Sequence, residues 1–76
     1  MTEILQLPRM LPMKSSNIEA IGYDEGHKEL HVRFKGGGHY VYEGVPIELH
    51  HQFLADESPG AFLAKNLKGQ FKHRKH

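Results

Sequence analysis

Cysteine is absent from the 76 residues of this chain. Disulfides, cysteine-based zinc sites, iron–sulfur clusters and thiol nucleophiles are excluded with it, and a reducing compartment is compatible with the composition. Long apolar runs are also missing: nowhere do about 18 apolar residues follow one another, the length a helix needs to cross a bilayer. Residues 1–11 mix Ile4, Leu5 and Leu7 with Glu3, Gln6, Pro8 and Arg9, which leaves no unbroken apolar stretch of the secretory-signal kind. A cytoplasmic protein without a membrane partner is expected. Charge of one sign is lacking as well, since the formal net charge is only +1 with histidine neutral. That balance excludes a cationic polymer coating nucleic acid indiscriminately, so any basic footprint must be local. One such place exists, where Lys68, Lys72, Arg74 and Lys75 crowd together with His73 and His76 among them.

Catalytic spacing is missing too. Ser15 and Ser16 precede Asn17, but no Ser/His/Asp spacing or nucleophile elbow accompanies them, and a turn or strand entry accounts for them. The seven histidines invite a metal reading. On a helix, however, the adjacent His50 and His51 point about 100° apart and cannot easily share one ion. His27, His31 and His39 gather near a hairpin without cysteine or a clear carboxylate ligand. Solvated histidines, no metal, no cofactor and no enzyme are the expectation.

What remains suits one small domain. A chain of this length buries only about 60% of the surface its unfolded form exposes. Apolar residues make up 38% of the chain and include four Phe and three Tyr, enough for a core without covalent staples. Pro8 and Pro12 restrict the residues before them, so residues 1–12 read as an irregular lead-in. The run Ile18, Glu19, Ala20, Ile21, Gly22, Tyr23 is strand-like with imperfect alternation, which predicts a bulge or a glycine-mediated bend. Asp24, Glu25 and Gly26 supply a turn. Leu30, Val32 and Phe34 alternate with His31, Arg33 and Lys35, the period of a half-buried strand with one apolar and one basic face. Gly36, Gly37 and Gly38 permit a tight hairpin, and Tyr40, Val41 and Tyr42 form the next strand.

After Gly44 the period becomes helical. Val45, Leu49 and Phe53 recur every fourth residue, Leu54 widens the stripe, and a helix is predicted over residues 46–55. A second helix begins where Ser58 can accept a backbone N–H as N-cap and Pro59 occupies the first helical position. Phe62, Leu63 and Leu67 form its apolar side, Gly69 suits its stop, and Phe71 tacks the following segment down. The predicted fold is α+β: a three-stranded antiparallel meander followed by two short helices, the first covering the apolar face of the sheet.

In order and spacing, Ser15-Ser16-Asn17-Ile18, Ile21-Gly22-Tyr23-Asp24, Leu30-x-Val32-x-Phe34, Tyr40-Val41-Tyr42 with Val45-Pro46, and Phe53-Leu54 to Ser58-x-Gly60-x-Phe62 resemble the KTSC domain. Its central Tyr-x-Tyr is matched by Tyr40 and Tyr42. The resemblance covers residues 13–71, leaving residues 72–76 as a basic C-terminal tail. That family occurs alone in bacterial and phage-like proteins and at the C-terminus of some lysyl-tRNA synthetases. It carries no established activity, and RNA binding has been suggested for it from the synthetase association. Phe62 and Phe71 stand where the family often has Tyr, and Ala64 where it often has Asn, so no hydroxyl or amide role carries over there.

The resemblance and the basic residues together imply a non-catalytic module for RNA, single-stranded or tRNA, with Arg33, Lys35, Tyr40, Tyr42, Lys68, Lys72, Arg74 and Lys75 as its contacts. Every base offers a π-face to a sheet-borne tyrosine. Register decides whether the tyrosines are free to offer one. A loop of Gly36, Gly37 and Gly38 would set Lys35 opposite His39 and put Tyr40 and Tyr42 on the Leu30, Val32 and Phe34 face, as core with hydroxyls at the rim. A loop of two or four residues would move both to the face of His31, Arg33 and Lys35. Three glycines fit the first register and Val41 the second, and the balance favours core. The row His31, Arg33 and Lys35 suits phosphate contacts, but a plain solvated sheet face accounts for it better, since outward polar residues on a half-buried strand need no further explanation. The alternative function is a protein-interaction module acting through an exposed sheet edge.

Overall fold

The computed structural model describes residues 9–13, 15 and 17–76. Strand β1 (Leu11–Pro12) is followed by β2 (Ile18–Asp24), β3 (Glu29–Phe34) and β4 (His39–Glu43), then helices α1 (Ile47–Ala55) and α2 (Pro59–Asn66), and a last strand β5 (His73–Lys75). The α+β class and the two helices agree with the sequence reading. The sheet has five strands in the order β1-β2-β3-β4-β5, all neighbours antiparallel, where three were expected. Part of what read as lead-in pairs with β2, while residues 1–8 lie outside the described residues. Residues 73–75, read as tail, return beside β4 and pair Tyr40 with Lys75, Val41 with Arg74 and Tyr42 with His73. Both additions are short edge strands of polar or proline-containing sequence, which carry no apolar alternation to be recognised.

The bulge in β2 is present, because the register shifts between Ile18 opposite Phe34 and Ala20 opposite Arg33. One extra residue there turns two isoleucines three positions apart onto the same face, and Ile18 and Ile21 are both fully buried. In the β3–β4 hairpin the Phe34 N–H donates to the Gly38 carbonyl at 3.0 Å, so the loop is Lys35, Gly36 and Gly37. Phe34 faces Gly38 rather than Tyr40. The partner moves by two residues, an even step that leaves every side chain on its expected face. Tyr40 and Tyr42 therefore lie opposite Val32 and Leu30, on the apolar side. Gly37 and Gly38 have φ of 101° and 100°, values that side chains disfavour.

The core joins Ile18, Ile21, Leu30, Val32 and Tyr42 of the sheet to Val45, Phe53, Phe62, Leu63 and Leu67. Phe53 of α1 and Phe62 of α2 stack with ring centroids 5.2 Å apart, so both helices, not the first alone, cover the sheet. Pro46 sits just before α1 as its cap residue, Leu49 is half-buried and Leu54 is exposed. Ser58 precedes α2 but makes no side-chain cap; its own N–H donates to Asp56 Oδ1 at 2.7 Å. After α2, Gly69 (φ 78°) turns the chain toward β5.

Candidate functional site

The hairpin end, the segment after α2 and β5 enclose a groove on the helix side of the sheet. Its cavity of about 480 Å³ is lined by Phe34, Gly37, Tyr40, Tyr42, Lys68 and His73. Each lining group follows from the local fold. Phe34 closes β3, with Gly37 in the loop beyond it. Alternation puts Tyr40 and Tyr42 on one side of β4, and the pairing of β5 with β4 sets His73 opposite Tyr42. Lys68 follows the last turn of α2, its N–H donating to the Leu63 carbonyl at 2.9 Å.

Four aromatic rings meet there. Phe34 and Tyr40 pack edge to face at 5.8 Å, and His73 lies 5.9 Å from Tyr40 and 5.3 Å from Tyr42. Tyr42 is buried and belongs to the core, whereas Tyr40 is half-buried and keeps part of its surface toward the groove. Burial, then the neighbouring Tyr40, pushes the Tyr42 hydroxyl above the usual tyrosine range, so it stays protonated. An aromatic floor beside an ammonium can hold a flat π-system bearing an anionic group.

The sequence-derived contacts divide between two faces. Tyr40, Tyr42 and Lys68 line the groove, and Lys75 shares their side of the sheet through its pairing with Tyr40. Lys35 is exposed in the hairpin loop, its N–H bonded to the Asn17 carbonyl at 2.8 Å, and Lys72 is exposed just before β5. Arg33 and Arg74 stand on the opposite face. Arg74 reaches Glu43 at 2.9 Å and Glu29 at 3.3 Å. The hydrogen bonds to Glu29, then Glu43, raise its pKa. The expected basic row on β3 is not a solvated strip, because His31 is only 3% exposed and Lys35 lies beyond the strand. His73 escaped the sequence reading of the site. Its signal is parity counted along β5, and a three-residue polar strand does not announce itself.

The face away from the helices is largely covered. Val41 is fully buried, Ala20 and His31 nearly so, and the chain at Arg9 and Met10 passes over Gly22. On this face His31 Nδ1 and His39 Nε2 lie 2.9 Å apart, and His76 stacks on His39 with centroids 4.4 Å apart. Burial lowers the pKa of His31 and of His39, and one ring N–H links the pair. His27 is elsewhere, its Nδ1 2.9 Å from Asp24 Oδ2, a bond that raises its pKa. Among the described residues, no group of three or more His, Asp or Glu side chains is set around a metal position as it stands. Nor is any helix among them long and apolar enough to cross a membrane.

Comparison with known proteins agrees with this architecture. A protein of Tsukamurella paurometabola is 44% identical over 63 residues, covering 83% of this chain and 94% of that protein. An uncharacterised protein of Stutzerimonas stutzeri is 32% identical over 62 residues, covering 82% and 87% respectively. The crystal structure of a KTSC domain protein from Yersinia pestis superposes with a TM-score of 0.88 at 37% identity, covering 92% of this chain and 99% of that one. With residues 14–71 matching the KTSC domain as well, the chain belongs to the KTSC domain family.

Proposed function

We propose that this chain is a non-catalytic module for single-stranded RNA, with one unpaired base taken into the groove of Phe34, Tyr40, Tyr42 and His73 while Lys68 meets the adjoining phosphate. The observation that carries this reading is the aromatic groove with an ammonium at its margin. The half-buried Tyr40 offers the stacking face. Lys75 on the same side, and Lys72 just ahead of it, extend the positive surface along the strand's path. Arg74 contributes little, since its charge is already answered by Glu29 and Glu43. Such a surface makes about two or three phosphate contacts, which implies modest affinity and a shallow salt slope.

The test is an amide-shift titration with a short single-stranded RNA pool and a tRNA, at low and then physiological salt. Saturable shifts at Gly37, Tyr40, Lys68 and His73 are expected. Tyr40→Ala should weaken binding about tenfold or more, the scale of one base stack. Lys68→Ala should lower the salt slope by about one. Shifts confined to residues 72–76 and erased by salt would sink the reading. The edge of β5 is a poorer docking surface for a protein strand, because Arg74 and Lys75 place charged side chains where an edge pairs.

A further inference from the structure

Three imidazoles from separate stretches of chain converge on the sheet face away from the groove. His31 comes from β3, His39 from β4, and His76 follows β5 directly. Ring centroids are 5.0 Å apart for His31 and His39, 5.9 Å for His31 and His76, and 4.4 Å for His39 and His76. The main chain anchors the third residue beside the other two, since the His76 N–H donates to the His39 carbonyl at 2.6 Å.

We propose that His31, His39 and His76 form a binding site for a borderline divalent transition ion of the zinc class, which takes the place of the hydrogen bond between His31 and His39 while the donor ring's proton moves to its other nitrogen. Two nitrogens on one tetrahedral zinc lie about 3.3 Å apart, given zinc–nitrogen bonds near 2.0–2.1 Å. The His31–His39 pair at 2.9 Å therefore has to open by a few tenths of an ångström, and because the hydrogen-bonded nitrogens aim at each other, both rings have to turn by roughly 35° toward a common point. His76 stacks on His39 with nearly parallel rings, so its lone pair does not yet aim at that point. Being exposed, it can turn about its side-chain bonds to deliver a nitrogen. Solvent completes the fourth position.

The donor set selects the metal class. Three imidazoles and no carboxylate suit zinc, copper or nickel and disfavour magnesium and calcium, which want oxygen. A metal ion takes imidazole only in its neutral form, so binding at this site must weaken as pH falls. The surrounding charges oppose one another: Glu29 and Asp24 lie on the favourable side for His31, Arg74 and Arg33 on the unfavourable side for His31 and His39. An ion bound here would tie β3, β4 and the end of β5 together. It would thereby steady the strand whose other face supplies His73 to the groove.

The experiment is calorimetric titration of the whole chain with zinc chloride at about pH 7.5, followed through histidine side-chain nitrogen resonances and reversed with a chelator. One-to-one binding is expected, with shifts at the ring nitrogens of all three histidines and a higher melting temperature. His39→Gln and His76→Gln, neither of them a buried position, should each weaken binding about tenfold or more. His27→Gln and His51→Gln should leave it unchanged. Binding that survives His39→Gln and His76→Gln, that follows His27 or His51 instead, or that fails to saturate below about 100 μM zinc would overturn the proposal.

Discussion

His50 shows how a single side chain departs from its type. It is a helical histidine expected in solvent, yet it is buried and stacks on Tyr23 with centroids 4.9 Å apart and planes 14° from parallel. Its Nδ1 is buried without a hydrogen-bond partner, a loss of about 1–3 kcal/mol for a neutral polar group. Burial, and next the adjacent His51, lowers its pKa. The unfolded chain therefore binds the His50 proton at a higher pH than the folded one, and this contribution to stability is lost as pH falls through about 6.5 and below. Burial first, then the charges of Glu25, Glu48 and Asp24, raises the pKa of the stacked Tyr23, so its hydroxyl stays protonated across this range. His50→Phe keeps the stack and removes the orphan nitrogen. Its denaturation midpoint should rise, and the loss of stability between about pH 7 and 5.5 should shrink, with urea unfolding at both pH values as the check.

Gly22 is a second residue whose role is spatial. A β-carbon there would lie 2.7 Å from the Arg9 carbonyl oxygen and from the Met10 sulfur. The sulfur can swing aside, but the backbone oxygen moves only with its strand lead. Gly22→Ala should cost about 1–3 kcal/mol through overpacking. A melting temperature equal to that of the parent chain would refute the close approach.

Among the elements, β5 has little apolar contact to hold it. Its three residues are exposed, and its fastenings are backbone pairing with β4, the Arg74 bridges to Glu29 and Glu43, and the Phe71 ring packed at the core edge just ahead of it. Solvent-exposed ion pairs are weak and screened by salt. Amide exchange should therefore be faster at residues 73–75 than in β3, and Arg74→Ala should accelerate it further without moving the global melting temperature. The hairpin behaves in the opposite way. Gly38 combines a φ of 100° with a Tyr40 ring carbon 3.2 Å from where its β-carbon would sit. Gly38→Ala should cost about 1–2 kcal/mol and displace Tyr40, so RNA binding and stability should fall together. A variant that unfolds earlier yet binds RNA unchanged would separate Tyr40 from the groove.

For the molecule as a whole, one ring joins the layers. Phe53 is fully buried, stacks on Phe62 and meets the sheet core, so its removal opens a cavity between both helices and the strands. Phe53→Ala should cost about 3–5 kcal/mol, a large share of the total stability of a domain this small. Loss of a cooperative thermal transition is the expected result, and a transition retained at the parent temperature would contradict the packing described.

The apolar alternation of β3, the glycine hairpin, the period-four stripe of α1 and the Pro59 start of α2 are local patterns; they determined the α+β class and favoured, without fixing, the apolar side for Tyr40 and Tyr42, which the observed register then placed there. Parity survived even though the loop was shifted, because side chains alternate with a period of two and the shift was even. Tertiary structure decided what no local pattern encodes. It paired the polar residues 73–75 with the open edge of β4, which brought His73 to the groove and His76 to His31 and His39. It also buried His31 and Val41 on the side that alternation assigns to solvent, and tied Arg74 to two glutamates far away in sequence. Those outcomes depend on which surface lies opposite, and a strand of three charged or polar residues carries no apolar periodicity from which to read its partner.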